Sequence, residues 1–193
     1  MAVLITNQDD KLVFLHIAKC GGTSVREWLS ANTKHIKLGD KHDTILELEQ
    51  KGFTVGKHFT IVRNPYARLH SWFYYHVQEM NRYRHKLRPH LDNWVEWEKK
   101  GFQEYIMSDV WKLGDIGKLQ TEYFRSDVLK VVRLENITTE WQCIMDLLNI
   151  SVPLHKTNVS DHSDNFINEY TTIMKHKVAE YYKKDFERLG YTI

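Results

Sequence analysis

Cysteine is scarce in this chain: Cys20 and Cys143 stand far apart in 193 residues, which excludes a disulfide framework and favours a reducing compartment. Charge of one sign is scarce too. The 27 Lys and Arg residues face 25 Asp and Glu, a formal balance of +2, so the molecule as a whole is not a generic polyanion binder and any attraction for anions must be local. Long apolar runs are missing. The opening MAVLITNQDD is too short for a signal peptide, and no later segment reaches the length of a membrane span, so a soluble, cytoplasmic protein is the expectation. Internal repeats and low-complexity tracts are missing as well, and the length fits one domain, 1–193, with a substantial core. The eleven histidines are scattered, with no pair at ligand spacing beside cysteines, so no structural zinc is expected. Asn136-Ile-Thr, Asn149-Ile-Ser and Asn158-Val-Ser match the glycosylation pattern, which has no use outside a secretory lumen.

What is present is concentrated in two stretches. In the first, the apolar run Val13, Phe14, Leu15, Ile17 stops at Gly21-Gly22, and Val25, Trp28 and Leu29 then follow helical spacing. This is strand, glycine turn, helix. The glycines permit a tight turn and close approach of a ligand, and the new helix offers unpaired N–H groups at its positive end. A phosphate or a sulfate ester suits such a turn. Lys19 adds a cation, Cys20 lies inside the loop, and Thr23 and Ser24 supply hydroxyl donors or helix caps. In the second stretch, Phe59 to Val62 reads as a buried strand ending at Arg63-Asn64-Pro65, with a helix opened by Pro65. Arg63 offers a bidentate fork to phosphate, and Ser71, two turns into that helix, offers a hydroxyl.

The remaining chain reads as alternating elements. His35 to Leu38 suits a short strand, Thr44 to Gln50 a helix, and Val128 to Leu134 a further clear strand with Glu135-Asn136 at its tip. Three clear strands separated by helices predict an α/β fold with a parallel sheet and right-handed crossovers. Lys19 to Ser24, Arg63 and Glu135 then fall at carboxyl ends of strands, where such sheets bind ligands. Leu91 to Met107 is an aromatic helical region interrupted at Gly101, with its tryptophans read as core. Thr138 or Thr139 caps the next predicted helix, Ser151 to Asn165 is the least regular stretch, and a final helix runs from about Asn168 to Leu189 with Gly190 as its stop. Residues 76 to 90 carry Arg82, Arg84, His85, Lys86, Arg88 and His90: either a solvated loop or a rim that attracts an anionic acceptor.

HIAKCGGTS at 16–24 resembles the 5′-phosphosulfate loop of sulfotransferases that use 3′-phosphoadenosine 5′-phosphosulfate, and RNPYARLHSWFYY at 63–75 resembles their 3′-phosphate motif. The resemblance is to the carbohydrate-type branch, the sulfotransferase family 2 domain. Weaker echoes follow at Lys41-His42-Asp43-Thr44, at 132–136 and at 178–191, and where the family loop has Pro then Lys-Thr this chain has Ala18, Lys19 and Cys20. The resemblance implies a three-layer, P-loop-like fold and in-line transfer of a sulfuryl group to a hydroxyl acceptor, such as an anionic glycan, without a metal. It implies that Lys19 to Ser24 hold the 5′ end, that Arg63 and Ser71 hold the 3′-phosphate, and that His42 is the acceptor-activating base. His58, His16 and Glu47 remain open as competing bases. Eukaryotic relatives of this type are Golgi-lumenal.

Two other classes compete. Cys20 and Arg26 stand at the C-x5-R spacing of cysteine-dependent phosphatases, in which a thiolate attacks phosphate and the arginine clamps its oxygens. That reading leaves Lys19 and the Arg63 motif without a task. A non-catalytic nucleotide- or polyanion-binding module on the same scaffold is the other. A P-loop kinase lacks its G-x-x-x-x-G-K-[ST] signature here, and nucleic-acid binding lacks both a motif and a basic excess.

Overall fold

The computed structural model describes residues 1–6, 11–83, 89–154 and 165–193. The strands are β1 (Ala2–Ile5), β2 (Leu12–Leu15), β3 (His35–Leu38), β4 (His58–Val62) and β5 (Lys130–Arg133). In chain order the helices are α1 (Gly22–Asn32), α2 (Ile45–Gln50), α3 (Pro65–Tyr83), α4 (Pro89–Met107), α5 (Gly114–Gly117), α6 (Ile137–Glu140), α7 (Gln142–Leu148), α8 (Thr172–Tyr181) and α9 (Lys183–Leu189). The strands form one sheet in the order β3-β1-β2-β4-β5. Neighbours β2, β4 and β5 pair parallel, whereas β1 runs antiparallel to both β2 and β3. Every strand except β1 therefore points the same way, and their carboxyl ends share one edge. This is the expected α/β class, a mostly parallel sheet flanked by helices.

The chain falls into two compact units. The first comprises the described residues of Met1–Arg63 and Leu119–Val159, the second those of Asn64–Lys118 and Ser160–Ile193. In the first unit every residue of β2 and β4 is buried, as strands covered on both faces require. Trp28 of α1 meets Trp141 edge-on at 5.2 Å, and Trp141 lies 6.3 Å from Phe59 of β4, so helix and sheet share one aromatic core. The second unit is helical. Phe73, Phe102, Tyr105, Trp111, Met174, Val178 and Phe186 are buried in it, and the buried Arg68 guanidinium donates to the carbonyls of Lys118 and Asp115, each at 3.0 Å. Tyr181 and Tyr182 donate to the carbonyls of Gly117 and Ile116, in the short helical turn of 114–117.

Local chemistry explains the other departures. Thr138 and Thr139 cap nothing: the turn before α6 is entered at Asn136, and Thr139 donates back to the Asn136 carbonyl at 3.0 Å. The long final helix is broken at Tyr182, where φ −91° and ψ 21° leave the helical range, into α8 and α9. Gly190 ends α9 in the left-handed conformation, as predicted. The aromatic helix does change direction at Gly101, with φ 82° and ψ 174°.

Candidate functional site

Strand β2 delivers the chain into residues 16–21 and then into α1. Lys19 takes a left-handed conformation, φ 64°, which is uncommon outside glycine and is held where surrounding structure demands it. Gly21, φ 74°, is the cap residue of α1, and a Cβ there would stand 2.7 Å from Leu134 Cδ1 in the loop after β5. A Cβ on Gly22 would stand 1.9 Å from His16 Cδ2. Both glycines are thus required, one by conformation and one by the imidazole lying across the helix start. Thr23 and Ser24 lie in the first turn of α1 and do not cap it, because Gly21 already occupies the capping position and α1 has no side-chain cap. The first turn contains no acidic residue, so nothing there repels an anion from the N–H groups.

The second strand tip is fastened to the first. Strand β4 is the parallel neighbour of β2, and Arg63, the residue after β4, donates from Nη1 to the Lys19 carbonyl at 3.3 Å. Gln120 completes the link. Its Oε1 accepts from the Arg63 N–H at 2.8 Å and from Cys20 Sγ at 3.3 Å, while its Nε2 donates to the Arg63 carbonyl at 2.8 Å. One fully buried amide therefore brackets the Arg63 backbone as a neighbouring strand would, and ties it to the glycine loop. No motif announces Gln120; a polar residue among Leu119, Tyr123 and Phe124 was the available signal.

Cys20 is 1% exposed and uses its thiol as a donor, to Gln120 Oε1 and to the Ala18 carbonyl at 3.6 Å. A buried donor of this kind is not presented to a phosphate ester, and the C-x5-R reading with Arg26 finds no support.

The loop after β3 supplies His42. Its Nδ1 donates to the His16 carbonyl at 3.1 Å, which leaves the lone pair of the neutral ring on Nε2. The two rings meet edge-on at 4.7 Å, and His16 in turn rests on Gly22, so His42 stands one imidazole away from the start of α1. His16 itself is buried, its Nδ1 has no hydrogen-bond partner among the described residues, and burial, reinforced by His42, pushes its pKa down to about 2. The other candidate bases are committed elsewhere. Glu47 closes a capping box with Thr44 at the start of α2, and His58 is fully buried at the opposite, amino end of β4. Asp43 holds the loop: its Oδ2 accepts from the Asp40 N–H and from Lys51 Nζ, both at 2.6 Å.

Ser71 belongs to the second unit, half-buried on α3. Residues 84–88 of the basic run and 155–164 of the irregular stretch lie outside the described residues. Among the described residues no group of three or more His, Cys, Asp or Glu could hold a metal, and no helix is long and apolar enough to cross a membrane.

The donor set fits a phosphate- or sulfate-bearing ligand: a helix start free of carboxylates, two glycines demanded by close approach, Lys19 and, from the next strand, Arg63. No curated protein and no solved structure matches the chain. A model of the sulfotransferase family matches residues 3–192.

Proposed function

Since the chain belongs to the sulfotransferase family and so is a transferase of sulfuryl groups, we propose that its donor is 3′-phosphoadenosine 5′-phosphosulfate and its acceptor a carbohydrate hydroxyl. The observation that carries the donor assignment is the coupling of two strand tips, with Arg63 Nη1 on the Lys19 carbonyl and Gln120 bracketing the Arg63 backbone. A single ligand with phosphate groups at both ends suits two anion-binding tips held at fixed separation.

The bound donor supplies an activated sulfuryl group on a nucleotide leaving group. Lys19 and the first N–H groups of α1 hold the oxygen that gains negative charge as the bond to sulfur breaks, and so stabilise the transition state more than the ground state. Arg63 selects for the 3′-phosphate. His42 Nε2 takes the proton of the acceptor hydroxyl while its Nδ1–H stays anchored on the His16 carbonyl.

The test separates these roles. Binding of 3′-phosphoadenosine 5′-phosphate, followed by calorimetry, is expected to weaken at least tenfold in Lys19→Ala and Arg63→Ala, the scale of a lost charged hydrogen bond. In His42→Ala it should be unchanged, with transfer of labelled sulfate falling by about 10²- to 10⁴-fold. Equal affinity for adenosine 5′-phosphate and for the 3′,5′-bisphosphate would refute the role of Arg63.

A further inference from the structure

The segment from Gln120 to Asp127 touches both parts that the transfer step needs in register, the donor tips and the helix behind His42. At its start, Gln120 Oε1 accepts from the Arg63 N–H at 2.8 Å and from Cys20 Sγ in the glycine loop at 3.3 Å. Three residues on, the Tyr123 carbonyl accepts from the Ile45 N–H in the first turn of α2, at 3.3 Å. Two further on, the Arg125 guanidinium grips the other end of that helix. Its Nη1 donates to Glu49 Oε1, its Nη2 to the Val55 carbonyl at 2.7 Å and its Nε to Asp127 Oδ1 at 3.3 Å. Resting on the reading of His42 as the base, we infer that this segment is a brace setting the base against the donor tips, with Arg125 as a positioning residue for His42.

Helix α2 needs such a brace. With six residues it is too short to persist on its own hydrogen bonds, and the burial of Ile45 and Leu48 seats one face without fixing direction. Directional contacts fix the rest: the capping box at Thr44, the Tyr123 carbonyl, and Arg125 on Glu49. Arg125 holds residues 49 and 55, and between them Lys51 donates to Asp40 and Asp43, both at 2.6 Å, on either side of His42 in the chain. His42 Nδ1 is then fixed on the His16 carbonyl at 3.1 Å. Contacts with defined geometry thus run from the guanidinium to the base. A planar fork suits this task, since it meets a carboxylate and a carbonyl on set bearings, which a lysine ammonium does not. The side chains of Arg125 and Glu49 are 39% and 38% exposed, so their ion pair adds little to stability. Its effect is on where α2 stands.

The experiment compares Arg125→Ala and Glu49→Gln, which cut one link from its two sides, with the wild-type protein. In both, affinity for 3′-phosphoadenosine 5′-phosphate should stay within about twofold, while kcat for sulfate transfer falls by about 10- to 100-fold, the scale of an ångström of misplacement. The His42 Nδ1–H, sheltered by the His16 carbonyl in the wild type, should exchange with water about tenfold faster in both variants. Added guanidinium ion should restore kcat in Arg125→Ala and leave the wild type as it is, whereas Arg125→Lys, which keeps the charge and loses the fork, should remain slow. Unchanged exchange at His42 in both variants overturns the brace, and faster exchange with kcat intact overturns its part in catalysis. Faster exchange in a protein that transfers no sulfate, or whose His42→Ala variant transfers as well as the wild type, leaves the brace and overturns the reading of His42 as base.

Discussion

Burial makes His16 a neutral spacer rather than a base. Its ring separates His42 from Gly22, and with a folded pKa of about 2 against 6.5 when exposed it binds a proton only in the unfolded chain at mildly acidic pH. The depressed value fixes the sign: the contribution is complete above pH 6.5 and is lost as pH falls below it, by about 1.4 kcal/mol per pH unit. Roughly 2 kcal/mol should be gone by pH 5, and His16→Gln should flatten that part of the stability curve measured by urea unfolding. An unchanged slope in the variant would assign the acid sensitivity to another group. Gly22 answers to the same ring. Gly22→Ala drives a methyl into His16 and is expected to cost about 1–3 kcal/mol and to displace the helix start, read as a lower Tm and weaker nucleotide binding. Gln120 acts differently. Gln120→Leu removes the amide that brackets the Arg63 N–H and carbonyl, at a cost of about 1 kcal/mol for each hydrogen bond lost, and should loosen Arg63 without touching any ligand.

At the scale of elements, the loop 39–44 and α2 form a device for presenting His42. Thr44 begins α2 with a reciprocal capping box, and Asp43, 7% exposed, folds back on the Asp40 N–H while gripping Lys51 at the far end of the helix. Gly39 is needed because a Cβ would stand 2.2 Å from Asp43 Oδ2. The helix from Thr44 and the position of His42 on its approach were legible in the residues, since a Thr-x-x-Glu start and an apolar face are local signals. The pinning of His42 on His16 was not, because it joins residues 26 apart and depends on register between strands. Two measurable effects follow. Thr44→Ala should remove about 1 kcal/mol of stability. Asp43→Asn frees the loop, and the expected loss is in kcat rather than in affinity for the nucleotide product, because the groups on α1 and Arg63 stay as they are. A matching loss in nucleotide affinity would mean that the loop shapes the donor site instead.

The sheet shows why some of the architecture was readable and some was not. Strands β2 and β4 are continuous apolar runs followed by turn chemistry, and a buried parallel strand writes itself into the sequence that way. Arg63 was visible because it stands directly after such a run, and the two glycines because they close the short loop that follows the other. Strand β1 carried no comparable mark. Ala2–Ile5 is four residues long, has no flanking helix pattern, and is apolar enough to be weighed only as a failed signal peptide, yet it fills the gap between β3 and β2 with antiparallel pairing to both. Without it β3 has no partner in the sheet, and the loop bearing His42 has no fixed start. The consequence is a long-range prediction. Ile5 is fully buried, so Ile5→Ala should destabilise the protein by about 2–5 kcal/mol, whereas Leu46→Ala, at a site 60% exposed, should stay within about 0.5 kcal/mol. Because β1 carries β3, the Ile5 variant should also lose His42-dependent turnover at temperatures where the rest of the chain still binds 3′-phosphoadenosine 5′-phosphate through Lys19 and Arg63. Parallel loss of both activities along the melting curve would show instead that the sheet unfolds as one cooperative body.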